Sequence, residues 1–142
     1  MKETRPPENP EDLQREDARP SKEDLNTWAS LCHFSALLGI IWWMPVGPIW
    51  LPFGHLLAPA TVWLLKRGLS PSINEAGKES LNFQLSMTAY GILCAVFLRS
   101  WMPFPLVHLF VLADSVLAVT AGVRASNGQS YRYPLTLLRV LR

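Results

Sequence analysis

The sequence predicts an all-α polytopic membrane protein, a four-helix transmembrane bundle with a disordered N-terminal tail. Three observations carry that prediction. Four apolar runs fall at about residues 28–44, 49–65, 81–98 and 104–123. Each stops at a proline cluster or a basic residue: Pro45, Lys66, Arg99 and Arg124. The basic residues, finally, lie almost wholly on one side of the runs.

Residues 1–24 hold eight of the eleven acids and five of the thirteen bases, whereas the remaining residues carry eight bases and three acids, Glu75, Glu79 and Asp114. The overall positive balance therefore averages two unlike regions and gives no ground for a nucleic-acid partner. Residues 1–20 contain four prolines and almost nothing apolar. Such a segment buries too little surface to offset the entropy of ordering it, so it is expected to be a disordered, acidic, proline-rich cytoplasmic tail. It has no apolar stretch of signal-peptide length and too many acids for a transit peptide. The membrane domain is then residues 21–142.

Ser21-Lys-Glu-Asp24 has the form of a capping box, and Leu25, Trp28, Leu31 or Cys32, and Ser35 follow at helical spacing. The first run continues through Trp43 to Pro45, Gly47, Pro48 and Pro52. The runs have about 16 to 20 residues, close to the roughly 20 needed to cross about 30 Å of hydrocarbon. Two crossings are expected from the first two runs. The alternative is a re-entrant hairpin, because the proline cluster permits irregular backbone at depth where protein covers it. Ser70-Pro71 is a good helix start, with Ser at the cap and Pro in the first turn. A helix beginning there makes a cytoplasmic arm that leads directly into the third span.

With four crossings and both termini in the cytoplasm, every base except Arg99 lies inside, the positive-inside pattern of a multi-pass membrane protein. Trp42, Trp43, Trp50 and Trp101 then fall at the outer interface, and Trp28 and Trp63 near the inner one.

The third span is unusual. "LNFQLSMTAYG" places Asn82, Gln84, Ser86 and Thr88 in its first turns. Glu79, Asn82, Ser86 and Tyr90 share one helical face, with Gln84 and Thr88 roughly opposite. Unpaired amides in lipid are costly, so Glu79, Asn82 and Ser86 are expected to form an interhelical polar face. Counting in from the cytoplasmic ends, His55, Tyr90 and Asp114 share a level near mid-membrane. They form a candidate intramembrane polar cluster in which Asp114 pairs with Tyr90 or His55, or stays protonated. Asp114 shares a face with Ala118, Ala121 and Ala125, which turns it away from lipid.

Other chemistry is not indicated. His33, His55 and His108 sit on three different runs with one intramembrane carboxylate between them, which gives no metal set. Cys32 and Cys94 lie in apolar runs without C-x-x-C spacing, and Ser130 lacks a nucleophile context. No catalytic, cofactor or metal site is expected. Asn127-Gly128 marks a turn, followed by an interface brace of Tyr131, Arg132 and Tyr133 ahead of Pro134. If "LTLLRVLR" is helical, Leu137, Leu138 and Leu141 share a face, and Arg139 and Arg142 lie beside it, available to lipid phosphates.

"HFSALLG" (33–39), "HLLAPATVWLLKRGLSP" (55–71), "NEAGKESLNFQLSMTAYGIL" (74–93) and "ASNGQSYRYPLTLLRVL" (125–141) together resemble a bacterial membrane domain. That domain is related to the twenty-kilodalton subunit of the chloroplast inner-envelope translocon, the Tic family. Ala58, Ala76 and Ser80 depart from the family pattern, which has Gly, His and Ala there. The resemblance implies a four-span helical protein, and in plastids the family is tied to protein import. A non-enzymatic, Tic-like assembly or translocation-associated component is therefore expected. The rival is a small oligomeric carrier or channel with an intramembrane polar path. The lipid bilayer is the expected partner, together with another membrane protein or a second copy of the chain.

Overall fold

The computed structural model describes residues 19–41, 54–97, 104–137 and 139–141, with side chains left undescribed at 40–41, 94–97 and 104–108. Most of the tail expected over 1–20 lies outside these residues. So do the loops bearing Trp42, Trp43, Trp50 and Trp101, and with them the choice between two crossings and a hairpin. Among the described residues the regular secondary structure is all helical, with no strand.

The first helix, α1 (Lys22–Phe34), starts at the capping box that the sequence spells out. Asp24 N–H donates to Ser21 Oγ at 3.1 Å, and Ser21 N–H donates to Asp24 Oδ2 at 3.1 Å. These bonds satisfy donors that an N-terminal turn otherwise leaves open. A 3-10 turn at Ser35–Leu37 leads into the short α2 (Leu38–Ile41), and the junction residues stay in the right-handed helical region. The next helix, α3 (Gly54–Lys66), tolerates the buried Pro59 in its interior. After it, α4 (Pro71–Phe97) runs unbroken for 27 residues, about 40 Å, as the Ser70-Pro71 start predicts. Ser70 Oγ accepts from Ser72 N–H at 3.2 Å.

The last helix is α5 (Phe104–Ser126). It stops in a Schellman arrangement: Gln129 N–H donates to Arg124 O at 3.0 Å and Gly128 N–H to Ala125 O at 2.9 Å, with Gly128 at φ +72°. A side chain is strained at that φ, and a Cβ there would also lie 3.2 Å from the Asn26 amide nitrogen. Gly128→Ala is expected to lower stability by about 1 kcal/mol, measured as a shift in thermal unfolding of the detergent-solubilised protein.

The central element is α1, which packs against α5, α4 and α3, while α3 packs against α4 and the 3-10 turn. Ala118, Ala121 and Ala125 are buried on α5, where small side chains permit close helix approach. Gly77 serves the same purpose on α4, since a Cβ there would collide with the Trp63 ring. One core cluster gathers Ala29, Cys32, Ile73 and Ala125, and the other Phe83, Ala121 and Tyr133. Polar residues accompany them inside: Ser30, His33, Ser35, Ser80, Asn82, Gln84 and Ser86 are all buried. Leucines and valines meanwhile cover the outside, among them Leu57, Leu65, Leu93, Leu109, Leu112 and Val116.

Two sequence expectations need correcting here. Residues 135–141 form no helix among those described; they run as an irregular segment alongside α4. Pro134 begins this segment with a turn, and side chains of α4 satisfy its backbone groups in place of helical bonds. The brace of Tyr131, Arg132 and Tyr133 is likewise not an interface feature as a unit. Tyr133 is only 2% exposed. Its ring stacks on Phe83 with centroids 4.0 Å apart, and Tyr131 meets it edge-on at 5.2 Å. Arg132 alone projects outward, its side chain 81% exposed.

Candidate functional site

The polar face of α4 is where the molecule concentrates its specific hydrogen bonding. Asn82, buried on that face, uses both ends of its amide on one residue. Its Nδ2 donates to Leu141 O at 2.9 Å, and Leu141 N–H donates to its Oδ1 at 3.0 Å. One turn on, Ser86 Oγ donates to Asn82 O at 2.8 Å and accepts from Leu137 N–H at 3.1 Å. Tyr90 O–H donates to Leu135 O at 3.0 Å. Glu79 Oε1 takes the Arg139 guanidinium at 2.7 Å and has Arg132 Nε at 3.9 Å. The face expected to join helices therefore holds the C-terminal segment, running antiparallel to α4. An irregular segment offers open N–H and C=O groups, which a neighbouring helix does not, so polar side chains find their partners there.

The expected cluster of His55, Tyr90 and Asp114 is divided among three partners. Asp114 Oδ1 accepts from Gln84 Nε2 at 2.9 Å. His55 Nε2 meets Thr88 Oγ1 at 2.8 Å, while the Thr88 hydroxyl donates to Gln84 O at 2.8 Å. The Thr88 proton is thereby used, so His55 Nε2 carries the hydrogen and donates. Tyr90 turns to Leu135, as above. A depth count compares positions along the helices and carries no information on rotation. Tyr90 is six residues beyond Gln84, about 240° around the helix, and so faces the clasp formed by α4 and the C-terminal segment, while Gln84 faces α5.

Sequence reasoning missed a further pair. His33 Nδ1 lies 3.0 Å from Tyr133 Oη, and Ser80 Oγ donates to Cys32 O at 2.8 Å. Burial pushes the Tyr133 hydroxyl well above its ordinary range, so it remains a neutral donor or acceptor at every physiological pH. The available signal was the i, i+4 series Ser80, Gln84, Thr88, a second polar face inside an apolar run. Among the described residues no group of three or more His, Cys, Asp or Glu side chains could hold a metal ion. The His108 side chain lies outside the described residues.

One helix among the described residues is long and apolar enough to cross a membrane, at Leu109–Ser126. No curated protein and no solved structure matches the chain. A family model does match over residues 24–141, that of the MamF/MmsF family, described as a magnetosome magnetite crystal formation protein family. This overturns the Tic-like resemblance, and with it the translocation-associated role. The two blocks that weighed most in that resemblance, 74–93 and 125–141, are the two sides of the α4 clasp. They specify how a helix holds the C-terminal segment, which is a packing feature and a poor index of activity. Family and apolar helix agree on a membrane location. The match takes in α1 through α5 and the clasp, and the chain belongs to the magnetosome magnetite crystal formation protein family.

Proposed function

We propose that this chain is a multi-pass integral membrane protein that takes part in magnetite crystal formation as a packed helical scaffold and catalyses no reaction itself. The observation that carries the reading is the family match over residues 24–141, which runs from the first turn of α1 past the end of α5. The distribution of side chains supports the membrane part. Seven polar residues are buried among the helices, whereas large apolar side chains face outward. A water-soluble bundle has the reverse arrangement; a bundle in lipid keeps polar groups between helices and apolar ones outside. The spans in this reading are about 28–44, 49–65, 81–98 and 104–123, with both termini and residues 66–80, which include the start of α4, in the cytoplasm. Twelve of thirteen basic residues then share one side. The non-catalytic part rests on the use of Asn82, Gln84, Ser86, Tyr90 and Asp114 in internal bonds. Another membrane protein, or a second copy, would meet the outward leucines.

The test is genetic and structural together. In a magnetite-forming bacterium that lacks its own copy of such a protein, the wild-type chain is expected to restore the size distribution of the crystals, read by electron microscopy. Crystals unaltered by both loss and resupply would refute the role. Reporter fusions after Arg67 and Arg142 should read cytoplasmic, and one after Trp101 external. A fusion after Arg67 that reads external would remove the four-span topology.

A further inference from the structure

We infer that the charged end of the bundle is a binding surface for anionic phospholipid headgroups, built by Lys66, Arg67 and Arg124 seated on Trp28, Trp63 and Tyr131. The inference rests on the membrane reading above and adds a ligand to it. Lys66 Nζ lies 4.1 Å from the centre of the Trp28 ring, the Arg67 guanidinium 5.1 Å from Trp63, and that of Arg124 5.5 Å from Tyr131. The three pairs come from different parts of the chain, and the topology brings them together. This is the end where α1 and α4 begin and α3 and α5 finish. The common core cluster of Ala29, Ile73 and Ala125, with Trp28 and Trp63 packed against it, ties these ends to one another.

Three features make the surface more than a scatter of bases. The rings are fixed: Trp63 Nε1 donates to Asn74 Oδ1 at 2.9 Å and the ring abuts Gly77, while Tyr131 stands edge-on to buried Tyr133. A cation held over an immobile ring loses less freedom when it binds an anion. The charge is also one-sided. The described residues of this end carry eight bases, from Arg19 to Arg139, against four acids, while those of the opposite end carry none of either. Arg132 and Arg139 turn to Glu79, whereas Lys66, Arg67 and Arg124 sit over rings. Guanidinium groups suit phosphate through paired N–H donors, and the ammonium adds a point charge.

The third feature selects the ligand. Directly beside the cations, Leu64, Leu65, Leu69 and Val123 are exposed, at 56%, 73%, 46% and 48%. A ligand that matches both must present phosphate and hydrocarbon side by side. An anionic phospholipid does so, and an acidic soluble protein would leave that apolar skirt unmatched. Tryptophan and tyrosine at this level are also the side chains that settle where acyl chain meets headgroup.

The experiment uses the full chain in detergent with phosphatidylglycerol or phosphatidylcholine added, read by thermal unfolding and by native mass spectrometry of retained lipid. Phosphatidylglycerol is expected to raise the unfolding temperature more and to be retained preferentially. In Lys66→Gln/Arg67→Gln/Arg124→Gln the preference should fall roughly tenfold or more, with unfolding in phosphatidylcholine unchanged. Should the triple variant not fold, Arg124→Gln alone is expected to show a partial loss, larger than that of Lys22→Gln, which removes one charge of this end but none of the three ring pairs. Equal stabilisation by both lipids overturns the inference. So does an undiminished preference in the variants, or an equal effect of inorganic phosphate or of an acidic peptide. Failure of the membrane reading itself would look different: the chain would leave the membrane fraction on alkaline carbonate washing.

Discussion

Asn82→Leu releases the C-terminal segment from α4 and costs about 1–3 kcal/mol. Leucine keeps the branching of asparagine but is larger, so at this buried site some overpacking adds to the lost hydrogen bonding. Both bonds between Asn82 and Leu141 disappear, leaving a partly buried N–H and C=O without partners. The neighbouring Ser86→Ala removes the bond to Asn82 O and the one from Leu137 N–H; only the second ties the C-terminal segment to α4, and its loss should cost about 0.5–1.5 kcal/mol. The Glu79–Arg139 ion pair is half exposed on the arginine side and contributes less. Amide exchange separates a released segment from a general loosening. In Asn82→Leu, protection should be lost at residues 135–141 while the α1–α5 contact keeps its own. Uniform loss across the helices would show that Asn82 supports the bundle in some other way.

The pattern of what could be read in advance follows from how local each signal is. The start of α1 at Ser21, the start of α4 at Pro71 and the stop of α5 at Gly128 each depend on a few adjacent residues, and each was legible. The burial of Ala118, Ala121 and Ala125 was legible for the same reason, since one helical period sets it. The partner of Asn82 was not. It lies 59 residues away and is main chain, which leaves no mark in side-chain chemistry. "LTLLRVLR" in helical form would put Leu137, Leu138 and Leu141 on one face, yet bonds from Glu79, Asn82, Ser86 and Tyr90 hold its described residues otherwise. Tyr133 looked interfacial because tyrosines favour that level; its stacking on Phe83 and its contact with His33 bury it. The family was misread because the most distinctive residues are those of the clasp, and a clasp specifies a fold before it specifies a task.

Asp114→Leu should cost more than Asp114→Asn, and the difference identifies what the carboxylate does. Gln84 is fully buried, donates to Asp114, and has no partner for its Oε1 among the described residues. Removing the acceptor leaves an entire amide unpaired inside the bundle, about 1–3 kcal/mol. Asparagine keeps an oxygen at the same place, so its cost should stay below about 1 kcal/mol. The decisive variant is Gln84→Leu/Asp114→Leu. Replacing both polar groups by apolar ones removes the unpaired amide as well as the bond, so the double variant should be more stable than Asp114→Leu alone. Additive losses would mean that the two residues do not act as a pair. A carboxylate with a task beyond this bond would leave a further trace: Asp114→Asn would be as stable as the wild type and yet fail to restore magnetite crystals. If it restores them fully, Asp114 serves chiefly to satisfy Gln84, and the polar interior of α4 is there to fix how the helices and the C-terminal segment fit together.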